Sequence, residues 1–227
     1  MSKNIFVTAT GTDVGKTFVS ALIVKKMREL NLNCGYYKPV LSGAEIINGN
    51  LFAGDCEYVK KIAGLDGKAI DFSSYIFKPA LSPHLASQIE NNPIKLDKIK
   101  SDFMGKSKHN DYTVVEGAGG IVCPMDLSKE EPFLIKDIIK GLGLDVIVIS
   151  SAELGSINSA VLTVEYAKQH NIDVRGIILN HYNENDNMQA DNKLQIERLT
   201  GVPVIACVKT DDNDLLINEK TLVSLFN

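Results

Sequence analysis

The chain has 227 residues, which is enough for one sizeable α/β core but too few for two full domains, so we expect a single domain over residues 1–227. Hydrophobic residues make up 44% and charged residues 23% of the chain, and the net charge is −4, which argues against a broad nucleic-acid-binding face. No stretch approaches the ~18 apolar residues of a membrane span, and the first predicted strand begins too early to leave room for a signal peptide.

The first predicted strand runs into a phosphate-binding loop, in the segment IFVTATGTDVGKT (5–17). An apolar run stops, a segment rich in glycine, threonine and aspartate follows, and Lys16 and Thr17 open an amphipathic helix. In such a loop, backbone N–H groups and the helix N-terminus bind phosphate oxygens, the lysine adds positive charge, and the threonine hydroxyl ligates Mg²⁺. The strict pattern G-x4-G-K-[ST] requires glycine where this chain has Thr10, with Gly11 one place late.

An alternative for this segment is a glycine-rich turn whose lysine merely lies at the start of a helix. A cation in the first turn opposes the helix macrodipole, so Lys16 needs an anion to explain its position. This favours the phosphate-binding loop.

The second predicted strand covers residues 34–40 and follows a helix predicted over residues 18–30. Lys38 lies at its carboxyl end, just before Pro39 stops regular pairing, and therefore points into the crevice expected there. A solvated surface lysine is the alternative. Ser42 follows in a flexible loop, and the pair favours a turn that faces a substrate.

A helix is predicted over residues 53–63, with Asp55 near its beginning. An aspartate in a first turn is usually a partner of the helix dipole, so spacing alone leaves metal binding as the minor alternative. Another helix is predicted over residues 96–104.

Residues 75–93 are interrupted by three prolines. Within this segment, Ser82 followed by Pro83 predicts a helix that begins with a serine cap. His84 is the histidine that we expect nearest to the chemistry, although packing or capping is the favoured role for it.

A buried strand is predicted over residues 112–116, and it ends in Glu116 followed by the glycine-rich segment 117–120. A carboxylate in that position is unfavourable unless a cation accompanies it, and the glycines let the backbone approach a ligand closely. The alternative is a turn glutamate in a glycine-rich connection.

The remainder alternates regularly between strands and helices. Strands are predicted over residues 145–150, 174–180 and 202–208, and helices over residues 133–142, 154–170, 187–200 and 216–226. This alternation predicts an α/β fold with a mostly parallel sheet and helices on both faces. Ligands bind such sheets at the carboxyl ends of the strands. The polar residues that follow different strands are Lys16, Thr17, Lys38, Ser42, Glu116, Asn158, Asn180 and Lys209.

Four cysteines are widely spaced along the chain and form no C-x-x-C pair: Cys34, Cys56, Cys123 and Cys207. Free, buried thiols in a reducing cytoplasm are therefore expected, rather than disulfides or a zinc site.

Taken together, these motifs make the sequence similar to the dethiobiotin synthetases, a family of P-loop proteins of biotin synthesis, and imply a P-loop NTPase-like fold. The resemblance covers nearly the whole chain and rests on T-x-V-G-K-T (12–17), Y-K-P-V-x-S-G (37–43), S-P-H (82–84), V-E-G-A-G-G (115–120), L-G-x-I-N (154–158) and Asn180. The phosphate loop of that family is one residue longer than usual, which accounts for the misfit at Thr10. Amidotransferases of cobalamin synthesis share the first and fourth motifs, so segment 37–43 discriminates better.

The resemblance implies an ATP-dependent ligase that joins CO₂ to 7,8-diaminopelargonate and closes a urea ring, by way of a carbamate and a carbamic-phosphoric anhydride. ATP is the co-substrate, and Mg²⁺ is implied to be held by Thr17, Asp55 and Glu116. The implied partners are the diamine and CO₂ or bicarbonate, with no nucleic acid and no membrane. A homodimer with the active site at its interface, working in the cytoplasm, is also implied.

The resemblance also implies roles for individual residues. Lys38, Lys16 and Thr12 are the implied catalytic residues. The implied nucleotide-binding residues are Asp13, Val14, Gly15, Lys16, Thr17, Phe18, Asp55, Glu116, Gly117, Ala118, Gly119, Asn180, His181, Lys209, Thr210 and Asp211. The implied substrate-binding residues are Ser42, Gly155 and Asn158. For Asn158, capping of its own helix is the alternative.

This chain departs from the family in its phosphate loop and at the nucleotide base. Ala9 stands where glycine is usual and Gly11 where aspartate is usual, so we expect Gly11 to supply the permissive backbone position. Asn180 is followed by His181 where the family commonly has aspartate, and Lys209 begins a segment that usually starts with proline. We therefore expect looser recognition of adenine.

Two other classes of protein share the phosphate loop. ATP-dependent switch proteins that partition DNA or position division sites typically carry a second lysine early in the loop, where this chain has Thr10 or Gly11. They also often end in a membrane-binding or basic helix, which this sequence does not predict. An amidotransferase-type ligase would bring a glutaminase domain, and no segment of this sequence predicts one.

Overall fold

A computed structural model describes residues 2–128 and 130–227. The strands are β1 (Lys3–Ala9), β2 (Cys34–Ser42), β3 (Glu45–Ile47), β4 (Asn50–Phe52), β5 (Ser73–Phe77), β6 (Tyr112–Glu116), β7 (Pro124–Asp126), β8 (Phe133–Leu134), β9 (Val146–Ser151), β10 (Val174–Asn180) and β11 (Val204–Val208). The α-helices are α1 (Lys16–Glu29), α2 (Gly54–Ala63), α3 (Pro83–Ile89), α4 (Leu96–Ser107), α5 (Ile135–Leu142), α6 (Ser156–Gln169), α7 (Asn187–Thr200) and α8 (Glu219–Ser224).

Seven of these strands form one sheet in the order β11-β10-β9-β1-β6-β2-β5. Every neighbouring pair in it is parallel, so the carboxyl ends of all seven strands lie at one edge. The predicted fold class is therefore confirmed. The central strand β1 is followed directly by the phosphate-binding loop, which lies at the edge where α/β sheets bind ligands.

Side chains that alternate along the strands fill two hydrophobic clusters, one on each face of the sheet. In β1, Ile5 and Val7 belong to the cluster that includes residues of α1, α2 and α8, whereas Phe6 belongs to the cluster that includes residues of α4 to α7. The same alternation separates Tyr36 from Tyr37 in β2. This period of two is what a sheet with two covered faces requires.

Three short features were not predicted. The strand β5 pairs with β2 at the edge of the sheet and overlaps the start of the proline-interrupted segment 75–93, for which no strand is predicted. The strands β3 and β4 form a hairpin whose turn residues, Asn48 and Gly49, both have positive φ. Asn-Gly is the preferred sequence for such a turn, so this hairpin had a sequence signal. The strand β8 pairs with β7 and takes the first two residues of the helix predicted from residue 133.

Other boundaries differ by a few residues. The strand β2 continues past Pro39 to Ser42 because it goes on pairing with β5, so the expectations that pairing stops at Pro39 and that Ser42 lies in a flexible loop are wrong. The helix α8 begins at Glu219 rather than at residue 216, because the Asn218 side chain accepts hydrogen bonds from Lys220 N and Thr221 N and so caps it there. The strand β11 begins at Val204, after Pro203, which has no N–H for the ladder.

The four cysteines are free, as predicted, but their burial differs. Cys34 and Cys56 are buried, while Cys123 and Cys207 are partly exposed, so the expectation of burial holds for two of the four. In the part of the chain that the structure describes, no helix has both the length and the apolar character to cross a membrane.

Candidate functional site

The loop between β1 and α1 has the backbone geometry of an anion-binding turn. Asp13 (φ 60°) and Gly15 (φ 89°) both adopt left-handed conformations. Gly15 is the N-cap of α1, and no side chain caps this end, so the first-turn N–H groups are available to an anion. Gly11 does not have a positive φ, and a Cβ placed there would meet nothing within 4 Å. The expectation that Gly11 supplies the permissive position is therefore wrong, because Asp13 and Gly15 supply it.

Lys16 is folded back into this loop. Its side chain donates a hydrogen bond from Nζ to the carbonyl oxygen of Gly11 at 3.0 Å, and the residue is 8% exposed. Burial lowers the pKa of the Lys16 ammonium, and the nearby Lys38 ammonium lowers it further. A buried cation at a helix N-terminus, close to a second cation, lies in a site that suits a multiply charged anion.

Four residues form a compact cluster that we call the carboxylate corner: Thr17, Lys38, Asp55 and Glu116. The ammonium of Lys38 contacts Asp55 Oδ2 and Glu116 Oε1, both at 2.6 Å. Thr17 Oγ1 donates a hydrogen bond to the same Oε1 at 2.7 Å. Glu116 is fully buried, whereas the side chain of Asp55 is 42% exposed.

The charges in this corner stabilise one another. Burial alone would lower the pKa of Lys38, but the carboxylates of Glu116 and Asp55 raise it above its ordinary value. Burial would raise the pKa of Asp55, and the Lys38 ammonium outweighs this and lowers it. Both groups are therefore charged, and the corner is a place where positive and negative groups meet out of water.

The register of the sheet explains how the corner assembles. In the pairing of β2 with β6, Tyr37 lies opposite Val115, so the next residue on each strand brings Lys38 beside Glu116. Thr17 comes from the first turn of α1 and Asp55 from the first turn of α2. The two helices pack against each other and belong to the same hydrophobic cluster.

An open cleft of about 1150 Å³ extends from the phosphate-binding loop past the carboxylate corner. It brings together many of the predicted site residues: Thr12, Asp13, Gly15, Lys16, Thr17, Phe18, Lys38, Ser42, Asp55, Glu116, Ala118 and Gly119. The cleft is also lined by residues that sequence reasoning did not assign: Tyr58, Ala80, Leu81 and Cys123. Tyr58 had a signal, because it lies three residues after Asp55 on the same helix.

The glycine-rich segment after β6 is only partly at the surface of the cleft. Ala118 and Gly119 line it, and Gly119 has φ 64°. Gly117 lies behind them, where an added Cβ would be 2.8 Å from the ring of Phe6. The requirement for glycine at position 117 therefore arises from close packing against β1.

Asn180 lies against the back of the phosphate-binding loop. It is fully buried, and its Nδ2 donates a hydrogen bond to the carbonyl oxygen of Val14 at 3.0 Å. A Cβ at Gly15 would be 2.0 Å from that same nitrogen, so the two segments are in direct contact. The Oδ1 atom of Asn180 is buried and has no protein partner within the described residues. A buried acceptor of this kind calls for a ligand atom or a water molecule.

Three of the residues expected around the nucleotide base lie on loops at the surface, together with Glu184, which was not predicted. We call these four residues the base-side rim: His181, Glu184, Lys209 and Thr210. His181 Nδ1 is 3.1 Å from Thr210 Oγ1, and Lys209 Nζ forms an ion pair with Glu184 at 2.9 Å. Asp211 is also exposed. The backbone N–H of Lys209 donates to Asp212 Oδ2 at 2.7 Å.

Gly155 and Asn158 lie at the start of α6, apart from the residues that line the cleft. The N-cap is Gly155, with φ 92°, and no side chain caps the helix, so the alternative that Asn158 caps its own helix is wrong. Asn158 is exposed, and the preceding Leu154 is 88% exposed. This end of α6 therefore presents uncapped N–H groups, an amide and an apolar side chain together.

Two residues of the S-P-H segment have clear positions. Pro83 is the first residue of α3, as predicted, and Ser82 is its N-cap, although the serine side chain makes no capping hydrogen bond. His84 Nδ1 is buried and has no partner within residues 2–128 and 130–227. Ser82 and Pro83 line the cleft.

The carboxylate corner has the ligand chemistry of a magnesium site. Its hydroxyl and carboxylate oxygens are hard ligands, and the Lys38 ammonium already places positive charge between the two carboxylates. The described residues contain no cluster of three or more His, Cys, Asp or Glu residues that could hold a metal ion by themselves. Mg²⁺ is usually held by one or two carboxylates together with substrate phosphates, so the residues present fit it.

Comparison with known proteins gives one consistent result. The profile of the family described as an AAA domain matches residues 3–216. The chain is 49% identical over 220 residues to the ATP-dependent dethiobiotin synthetase BioD of Clostridium botulinum strain Eklund 17B, with 96% of each chain covered. It is 47% identical over 226 residues to the same enzyme of strain Loch Maree, with 100% of this chain and 99% of that one covered.

Solved structures with low identity resemble the fold. A ParA-family ATPase from Chlorobium tepidum TLS has a TM-score of 0.58 at 16% identity, covering 99% of this chain and 90% of that chain. The MinD cell division protein of Aquifex aeolicus has a TM-score of 0.55 at 12% identity, covering 92% of this chain and 83% of that chain. At such identities the likeness concerns the fold alone.

Proposed function

The chain belongs to the family of ATP-dependent dethiobiotin synthetases, and we propose that its cleft carries out the reaction of that family. The enzyme joins CO₂ to 7,8-diaminopelargonate and hydrolyses ATP to ADP and phosphate. The observation that carries this proposal is the buried contact of Lys38 with Asp55 and Glu116, beside Lys16 and the open N-terminus of α1.

The reaction has three steps. One amine of the substrate attacks CO₂ and loses a proton, which gives a carbamate. A carbamate oxygen then attacks the γ-phosphorus and displaces ADP, which gives a carbamic-phosphoric anhydride. The neighbouring amine attacks the carbonyl carbon, phosphate leaves with the electron pair, and the five-membered urea ring closes.

The second step brings a carbamate to a triphosphate, so positive charge must lie between two anions. Lys16 lies at the phosphate-binding loop and Lys38 lies within β2, one residue after its pairing with β6 ends, and both residues line the same cleft. We assign Lys16 to the transferring phosphoryl group and Lys38 to the carbamate. Phosphoryl transfer needs mainly positioning and electrostatic stabilisation, so no protein nucleophile is required.

We propose that Thr17, Asp55 and Glu116 hold Mg²⁺ together with the nucleotide phosphates. Bound there, the ion supplies charge neutralisation at the β- and γ-phosphates. The oxygens of these three side chains already converge on the Lys38 ammonium or on one another. This convergence supports the assignment.

The remaining parts of the cleft are assigned by position. Thr12 and Asp13 belong to the phosphate-binding loop, and Ser42 is the last residue of β2; all three line the cleft. We propose that these residues, with Ala118 and Gly119, hold the diamine. Asn180 would bind the adenine edge, since its buried Oδ1 needs a donor and the N6 amino group is one.

We propose that the active enzyme is a homodimer in which the start of α6 completes the site of the partner. The uncapped N–H groups after Gly155 and the amide of Asn158 suit the carboxylate at the far end of the substrate. The exposed Leu154 beside them gives this surface an apolar contact for a second copy. The free cysteines support a location in the reducing cytoplasm.

Phosphate release tests the proposal. The purified protein is given ATP, Mg²⁺ and bicarbonate with either the vicinal diamine or an analogue that lacks one of the two amines. We expect phosphate release and a product heavier by one CO₂ less one H₂O only with the intact diamine, since both amines form bonds to the new carbonyl carbon. Phosphate release that is equally fast without bicarbonate and without diamine would overturn the assignment.

A further inference from the structure

The two oxygens of the Glu116 carboxylate have different surroundings. Oε1 accepts hydrogen bonds from Thr17 (2.7 Å) and Lys38 (2.6 Å), both of which line the cleft. Oε2 accepts a hydrogen bond from the Tyr36 hydroxyl at 2.8 Å, and Tyr36 belongs to the hydrophobic cluster behind the cleft. Glu116 is fully buried and Tyr36 is 4% exposed, so water does not compete for this bond.

The Tyr36 hydroxyl is held in a fixed position. Tyr36 and Lys38 lie two residues apart on β2, so both side chains project from the same face of the sheet toward Glu116. The Tyr36 ring packs edge-on against Phe72, with ring centroids 6.3 Å apart and planes at 88°. Because its ring is packed and its hydroxyl is bonded, Tyr36 loses little further conformational entropy when it orients the Glu116 carboxylate.

This arrangement matters because Mg²⁺ and Ca²⁺ use carboxylates differently. Mg²⁺ requires near-octahedral geometry with ligands at about 2.0–2.1 Å, whereas Ca²⁺ takes 6–8 oxygens and readily accepts both oxygens of one carboxylate. With Oε2 bonded to Tyr36, Glu116 presents one oxygen to the cleft. A cation that gains from two-oxygen ligation is therefore at a disadvantage in this corner.

We propose that Tyr36 is a positioning residue that keeps Glu116 a single-oxygen ligand and thereby favours Mg²⁺ over Ca²⁺. This inference rests on the proposed function, because it needs a divalent cation at the carboxylate corner. Tyr36 acts through Glu116 and touches neither the nucleotide nor the diamine. Sequence motifs do not reveal it, since the motif that identifies this strand begins one residue later, at Tyr37.

The chain offers a matched control for this residue. Tyr37 is the next residue of β2 and is also buried, but its hydroxyl lies on the other face, where it bonds Ser74 Oγ (2.6 Å) and donates to the carbonyl oxygen of Ile99 (3.2 Å). Tyr36→Phe and Tyr37→Phe each remove one buried hydroxyl from the same strand. A general loss of stability should therefore appear in both, whereas a change at Glu116 should appear only in Tyr36→Phe.

The test measures cation binding directly. Mn²⁺ bound to the protein with a non-hydrolysable ATP analogue is followed by electron paramagnetic resonance, and Mg²⁺ or Ca²⁺ is added to displace it. We expect the affinity for Ca²⁺ relative to Mg²⁺ to rise about tenfold in Tyr36→Phe, which is within the range for partners of metal ligands. In Tyr37→Phe the ratio should stay within about twofold of the wild type.

Three outcomes separate the Tyr36 inference from the proposed function. An unchanged ratio in Tyr36→Phe, with wild-type binding that Glu116→Gln abolishes, overturns the role of Tyr36 alone. Wild-type protein that binds no Mn²⁺, or binding that Glu116→Gln leaves intact, overturns the metal site and the Tyr36 inference together. If Tyr36→Phe does not fold, Phe72→Leu loosens the ring and keeps the hydroxyl, and it should raise the same ratio by a smaller factor.

Discussion

The carboxylate corner and the base-side rim are built in different ways. In the corner, Glu116 is fully buried and is bonded by two side chains of β2 and one of α1. In the rim, the ion pair of Lys209 with Glu184 joins side chains that are 55% and 64% exposed. A buried, bonded cluster is ordered before any ligand arrives, whereas an exposed pair is weak and easily rearranged. We therefore expect substitutions in the corner to change the rate and substitutions in the rim to change only selectivity.

The largest effect is expected for Lys16→Ala, at the edge of the corner. Removing a charge from the transferring phosphoryl group should lower phosphate release by about 10²- to 10³-fold. Lys25→Ala is the control, since Lys25 lies on the same helix and bonds only at its outer surface. Near-wild-type turnover in a folded Lys16→Ala protein would contradict the assignment of the phosphate loop.

Lys38→Ala tests whether the corner serves the chemical step. We expect kcat to fall about 10²-fold while the affinity for ATP changes less than about threefold, because Lys38 faces the carbamate. The variant also leaves the buried Glu116 without its cation, so the free energy of unfolding should fall by about 3 kcal/mol. Single-turnover kinetics, nucleotide binding and urea unfolding measure the three quantities separately. A large loss of ATP affinity with kcat preserved would move Lys38 to the nucleotide.

The contrast between corner and rim also marks what the sequence could reveal. Motifs that follow strand ends converge at one edge of a parallel sheet, so the meeting of Lys16, Lys38 and Glu116 could be predicted. The contact of Tyr36 with Glu116 could not, because it depends on the register of β2 against β6, which no local pattern specifies. The register of two strands depends on how their buried faces pack as a whole, so it is known only from the paired strands.

The edge strand β5 was not predicted, for a related reason. The strand β5 has one neighbour, β2, so its five residues need little of the continuous apolar character that marks a central strand. The prolines that follow it, at positions 79, 83 and 93, are typical of segments that lack regular strands. The position of Asn158 near a helix start was predicted, but its separation from the lining of its own chain's cleft depends on how α6 packs, which no local pattern specifies.

The start of α6 is a third region, and we expect it to contribute to the active site of the partner subunit. Lys16→Ala and Asn158→Ala are each expected to be nearly inactive alone. When the two chains exchange in a two-fold dimer, one site of each hybrid carries both changes and the other carries neither. Random mixing makes about half of the dimers hybrid, so about a quarter of wild-type activity should return.

Mixing Lys16→Ala with Lys38→Ala provides the control for that experiment. Both residues line the same cleft of one chain, so every hybrid site keeps one damaged residue and no activity should return. If subunit exchange is demonstrated by mass spectrometry and the Asn158→Ala mixture also stays inactive, Asn158 does not serve the partner's site.

The smallest effect is expected in the base-side rim, where His181 replaces the aspartate common in the family. His181 lies at φ 56°, a conformation that aspartate and asparagine also tolerate, so His181→Asp should fold without strain. The wild type should prefer ATP over GTP by less than about a thousandfold, or ~4 kcal/mol.

A carboxylate beside Thr210 would accept from the N6 amino group of adenine and repel the O6 of guanine. His181→Asp should therefore raise this preference about tenfold, measured as the ratio of kcat/KM values. In His181→Asn, the neutral amide can present either a donor or an acceptor, so the ratio should change less than about threefold. A wild-type preference already above a thousandfold would show that the buried Asn180 and the loop backbone discriminate the base without help from the rim.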